Sequence, residues 1–135
     1  MNVAIEMHDS ECLAVERDEL GQGFVLLDAY VHRSEGVPGV APGEGGVQRI
    51  RIRMEAMKVE GDVGNLPAYI YEGSLTIGTS IQDNMVSFPA AYSEAVRLRL
   101  MLSDDARVIV VSGTGVAIEP EGAFQFVESV DFSGR

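Results

Sequence analysis

The sequence predicts an all-β fold, a single-domain antiparallel β-sandwich or partly open β-barrel of about eight or nine strands. Three observations predict it. Apolar and polar residues alternate with period two in segment after segment, as in strands with one buried face. Short breaks rich in Gly, Pro, Asn and Asp separate these segments. No stretch of about ten residues carries a convincing helical period. The clearest instance runs from Val96 to Ile118. Val96, Leu98, Leu100 and Leu102 alternate with Arg97, Arg99 and Met101. Ser103 to Ala106 makes a polar break of hairpin length. Arg107 to Ser112 resumes with Val108, Ile109, Val110 and Val111, a run suited to a strand buried on both faces.

Taken in order, Val3, Ile5 and Met7 alternate with polar or small neighbours and predict a short first strand. Cys12 to Arg17 fits a strand through Leu13 and Val15. It also fits a helix face through Leu13, Arg17 and Leu20, with the strand favoured. Asp18 to Gly23 reads as a hairpin turn. Gly23 to Arg33 is a strong strand with Val25, Leu27, Ala29 and Val31 on one face. Its other face begins at Phe24 and Leu26 and turns polar through Asp28, Tyr30 and His32, as expected where a strand runs out to a rim. Ser34 to Gly46 holds five glycines and two prolines. That composition predicts a long flap that is neither helix nor inner strand.

Val47 to Glu60 is the longest strand candidate. Its apolar parity shifts after Met54 to Met57 and Val59, which predicts a bulge near Ala56. Ala68 to Ile77 reads as a strand bent at Gly73, followed by a turn at Gly78-Thr79. Ser80 to Phe88 reads as a strand with an irregularity at Asp83-Asn84. Ala90 to Ala95 is expected as loop or a single helical turn. After the central hairpin, Pro120 to Gly122 is a turn and Ala123 to Val130 a last strand, with Phe124 and Phe126 on one face. Asp131 to Arg135 reads as a polar tail.

The totals fit one domain of 135 residues, with 46% apolar residues, enough for a core without metals or disulfides. Net charge is −11. This field disfavours nucleic acid and anionic membranes as partners, and it steers basic partners in. The single cysteine, Cys12, excludes an internal disulfide and fits a reducing compartment. The first residues have no secretory pattern, and no run of about 18 apolar residues spans a membrane. The cytoplasm is the expected location.

Three segments, AYVHRSEGVPG at 29–39, YEGSLTIG at 71–78 and SFPAAYSEAVRLRL at 87–100, together resemble small bacterial all-β proteins. The resemblance implies an all-β fold. It carries neither an activity nor site residues.

Chemistry is sparse. His8 and His32 are the only histidines. Asp28 and His32 lie four residues apart on one strand face, about 13 Å, too far for a direct hydrogen bond. A metal site would need both histidines and a carboxylate brought together across strands, and none is predicted. His8, Asp9 and Ser10 are adjacent, and adjacent strand residues face opposite ways, so they make no local triad. Cys12 lacks a base or second thiol nearby and reads as a buried thiol. Neither Gly-rich segment, at 34–46 or at 113–115, opens a helix or carries a phosphate-loop lysine. No cofactor is predicted. The paired carboxylates Asp104-Asp105 and Glu119-Glu121 identify no acid–base couple.

The arginine rows are more informative. Arg49, Arg51 and Arg53 share one strand face, and Arg97 and Arg99 share another. If the two strands were neighbours, five guanidinium groups would form an anion site. Otherwise acids such as Glu55, Glu72 and Glu128 balance them across strands, each pair worth less than about 1 kcal/mol. The acid excess favours balance.

These readings point to a non-enzymatic binding module that contacts another protein. An acidic inhibitor or immunity-type protein that masks a basic partner is one concrete form. A second expectation is a small-ligand barrel with a pocket lined by Tyr30, His32 and Tyr71 under the 34–46 loop. A third is a self-associating structural protein, a homo-oligomer joined through exposed edge strands.

Overall fold

The computed structural model describes residues 1–103 and 107–131. These residues are organised as strands without any helix, so none is long and apolar enough to cross a membrane. The strands are β1 (Asn2–Arg17), β2 (Gly23–Ser34), β3 (Gly43–Glu55), β4 (Lys58–Glu60), β5 (Ala68–Ile77), β6 (Ser80–Asp83), β7 (Met85–Ser87), β8 (Ala90–Tyr92), β9 (Val96–Leu102), β10 (Arg107–Gly113), β11 (Gly115–Pro120) and β12 (Gln125–Val130). The pieces beyond the expected eight or nine are short. β4, β7 and β8 have three residues each, too few to display a period.

One curled antiparallel sheet runs in the order β4-β10-β9-β5-β1-β2-β3-β11-β8, with β12 on β3, β6 on β5 and β7 on β1. Two joints make it curl. At one, β1 passes the pairing to the start of β5 (Cys12 opposite Ala68), and β5 then runs on beside β9. At the other, β3 continues into β4 while β10 continues into β11. Glu55 lies opposite Gly115, and Lys58 opposite Ser112. This second ladder turns so sharply that a Cβ on Gly113 would lie 2.7 Å from the Glu55 carbonyl oxygen, so the position needs glycine.

The curled sheet wraps one core. Val25, Leu27, Ala29 and Val31 of β2, Ile50 and Ile52 of β3, and Leu98, Leu100 and Leu102 of β9 are fully buried, together with Ile5 and Met7 of β1. The period-two reading found these faces because each strand has one wall on the core. β10 departs from expectation. Ile109 and Val111 are buried but Val108 is 37% exposed, so this strand is covered on one face only.

Several segments differ from the sequence reading for physical reasons. Met7 to Ser10 forms a bulge, with Asp9 at φ 78°, and the two expected N-terminal strands join across it into one. The bulge is tied down by Asn84 (φ 64°), which accepts from the Met7 and His8 N–H groups at 2.8 Å each and splits β6 from β7. The parity shift near Ala56 is real: Ala56 has φ 50° and separates β3 from β4. The irregularity in β5 falls between Ile70 and Glu72, whereas Gly73 leaves room for Met7. Residues 90–92 are strand, held on β11 through Ala91 opposite Ala117.

The Gly/Pro stretch needs the largest correction. Only 35–42 is loop; Gly43 to Gly46 is inner strand, between β2 and β12. Glycine serves close approach here. A Cβ on Gly45 would lie 2.1 Å from the Tyr30 hydroxyl, and one on Gly46 would lie 2.5 Å from the Phe124 ring.

Candidate functional site

The predicted site residues occupy the outer face of the sheet, but not as one site. β3 and β9 are separated by β2, β1 and β5, so Arg97 and Arg99 do not join Arg49, Arg51 and Arg53. The β3 arginines are balanced across strands. Arg49 Nε donates to Asp28 Oδ1 at 3.1 Å, Arg51 Nε donates to Glu121 Oε2 at 2.6 Å, and Arg53 pairs with Glu119. The Asp28 carboxylate holds the Arg49 guanidinium above its ordinary range, and Glu121 does the same for Arg51. The Arg51 contact in turn lowers the Glu121 carboxyl. Arg51 also lies over the Phe24 ring, 4.0 Å from its centroid. On β9, Arg99 lies 4.0 Å from Glu72. Glu72 was among the expected balancing acids; Glu119 and Glu121 were not, because β11's place beside β3 is not legible locally. The Asp104-Asp105 pair lies outside the described residues.

Tyr30, His32 and Tyr71 divide between two linked clusters. In the first, the Tyr30 hydroxyl bonds the Glu128 carboxylate, and the His32 ring packs edge-on to Tyr30 at 5.2 Å. His32 Nε2 stands 3.4 Å from Glu6 Oε2. Burial, and then the Glu128 contact, raise the Tyr30 phenol above its ordinary value. The Ser10 hydroxyl links this cluster to the β1 bulge, accepting the Tyr30 N–H at 2.9 Å and donating to the Glu6 carbonyl at 2.6 Å.

The second cluster sits on the bulge itself. Tyr69 donates its hydroxyl to Asp9 Oδ1 at 2.7 Å, and that contact raises its phenol. Tyr69 meets the His8 ring edge-on at 6.0 Å and Tyr71 edge-on at 5.4 Å. Tyr69 and Tyr71 are 38% and 44% exposed. Glu6 lies opposite Tyr30 and Glu11 opposite Tyr69, which places the clusters on either side of β1. The outcome is a tyrosine surface with His8 exposed on it and His32 buried beside Tyr30, set among carboxylates. Tyr69 and His8 were missed as partners because the bulge breaks the parity that would have put them on one face.

Tyr30, His32 and Tyr71 are the residues expected to line a pocket under the 34–46 loop. The loop closes on its own end of the sheet. Asn2 Nδ2 donates to the Gly36 carbonyl at 2.7 Å, and the Ser34 hydroxyl donates to the Pro42 carbonyl at 2.8 Å. A cleft of about 720 Å³ opens at the far end of β2 and β3, and neither Tyr30, His32 nor Tyr71 lines it. Its floor is a row read straight across five strands: Glu16, Phe24, Arg53, Ala117 and Ala91. Two alanines beside Phe24 and Arg53 leave the hollow. A shallower depression of about 430 Å³ includes Asp28 and Arg49, whose side chains already pair across it.

Among the described residues, no three of His, Cys, Asp and Glu are placed to hold a metal ion. Cys12 is fully buried, and burial pushes its thiol up to about 11. Comparison with known proteins finds no matching family model, no matching curated protein and no matching solved structure.

Proposed function

We propose that this protein is a non-enzymatic binding module whose partner is a basic protein, contacted through the outer face of β5, β1 and β2. The observation that carries the reading is the exposed Tyr69–Tyr71 pair, braced by His8 and Asp9 on the bulge and continued by Tyr30. Tyrosine supplies large contact area with few rotatable bonds and is enriched where partners dock. The acids around it, Glu6, Asp9, Glu11 and Glu128, give the surface its sign. The arginines of β3 do not offset that sign, because Asp28, Glu119 and Glu121 already hold them. An inhibitor that masks a basic surface in the cytoplasm is the form this chemistry fits best.

Native mass spectrometry of the protein isolated from its own cells tests the reading. The expected species is a complex with a basic protein, weakened roughly 10-fold or more by Tyr71→Ala, as for a hot-spot tyrosine. A complex indifferent to Tyr69→Ala and Tyr71→Ala would remove this face from the account.

Self-association has one specific observation in its favour. Phe126 and Val127 on β12 are both 56% exposed, and among the described residues β12 pairs only with β3. A mass that grows with concentration and returns to the monomer in Phe126→Lys would support that second reading.

A further inference from the structure

The cleft at the far end of β2 and β3 is a site separate from the tyrosine face. Phe24 and Tyr30 are six residues apart on β2, about 20 Å. We infer that this cleft binds a cationic group, a guanidinium or an ammonium on a short apolar stem.

Size, shape and charge carry the inference. At about 720 Å³ the cleft falls within the usual range for small-ligand sites, roughly 300–1,000 Å³. Ala117 and Ala91 leave space where Phe24 supplies an aromatic wall, suited to an apolar stem. Three carboxylates line it, from Glu16, Asp18 and Glu55. Of the two lining arginines, Arg53 is held by Glu119, and Arg17 donates to the Met57 carbonyl at 3.3 Å. Three carboxylates therefore face one guanidinium that no acid already neutralises. Arg51, which also acts on Glu16, is committed to Glu121 and to Phe24. Glu16 and Glu55 have no side-chain hydrogen bond or ion pair among the described residues, so both carboxylates are available to a cation. Neither makes the direct arginine contact that holds Glu119 and Glu121.

The rim is built in advance. Asp18 Oδ1 accepts from the Leu20 and Gln22 N–H groups at 2.9 Å each, and the Met57 N–H donates to the Gly21 carbonyl at 2.7 Å. A fixed rim lowers the ordering cost of binding.

The test is an NMR titration of the full chain with three probes: acetyl-Gly-Arg-Gly-amide, its neutral citrulline counterpart, and agmatine. The arginine peptide or agmatine is expected to shift the backbone amides of Phe24, Glu55 and Gly115, and the citrulline peptide to leave them in place. The tighter of the two cationic probes assigns the source, a protein side chain or a free amine. The shifts should be lost in the Glu16→Gln/Glu55→Gln double variant. They should also be lost in Ala117→Leu, which fills the hollow without touching charge and covers the case of a misfolded double variant. Tyr71→Ala should leave them unchanged, which separates this site from the tyrosine face. Equal shifts with the citrulline peptide, or none at about 10 mM of either cationic probe, would overturn the inference.

Discussion

Tyr30 shows how one side chain joins structure to site. Its ring fills the space left by Gly45, its hydroxyl bonds Glu128, and its backbone N–H holds Ser10 against the bulge. The fold keeps the phenol neutral by burial and by the Glu128 contact. A group whose folded pKa is raised contributes stability that is present below its unfolded value, here about 10, and lost as pH rises through the folded value. Tyr30→Phe should therefore lose about 1 kcal/mol or less near neutral pH, because the contact is partly exposed. Its stability should also fall less steeply than the parent's above about pH 10. Urea denaturation of both proteins at pH 7 and at alkaline pH checks this, and coincident alkaline slopes would contradict it. Cys12 gives a second prediction. Fully buried, and with burial pushing its thiol up to about 11, Cys12 should be alkylated at pH 8 at least roughly 10²-fold slower than an ordinary thiol of pKa about 8.5, and urea should abolish the difference. Asp28, Tyr30 and His32 were legible as one face because β2 is regular across them. His8 and Tyr69 were not, because Asp9 in the left-handed region resets the parity of β1.

At the scale of elements, local period was informative and long-range pairing was not. β2, β5 and β9 were read near their true bounds, since each alternates over a full strand against one core. β8 falls where the sequence predicts loop or a single helical turn, because three residues show no period and its partner β11 follows it by more than 20 residues. The Gly-rich start of β3 was read as flap because glycine lowers strand propensity. The compensating fact, two aromatic rings occupying the missing Cβ positions, lies elsewhere in the chain, on β2 and just before β12. The cleft was illegible for the same reason: its floor is a row of single residues from five strands and exists only once the register is known. Gly45→Ala should cost about 1–3 kcal/mol by overpacking against Tyr30. Gly122→Ala, where a Cβ would meet Arg49 Cβ at an ordinary 3.4 Å, should stay within about 0.5 kcal/mol of the parent. Chemical denaturation of the pair checks whether close approach, and not glycine content, explains the start of β3.

For the whole molecule the governing quantity is the charge of −11 carried on one curled sheet. Paired arginines leave the acid excess outward, where it repels itself and attracts bases. Raising NaCl from about 10 to about 200 mM should therefore raise the melting temperature, since screening relieves more repulsion than it weakens surface pairs. A melting temperature that falls with salt would show that the arginine pairs dominate instead. The same field would make binding to the proposed basic partner a matter of steering. The measurement that tests this most directly is the association rate of the isolated partner against ionic strength, followed by stopped flow. A rate that falls roughly 10-fold or more between about 20 and 500 mM salt, with the dissociation rate changing much less, is the result predicted for an acidic binding face. A rate indifferent to salt would contradict it.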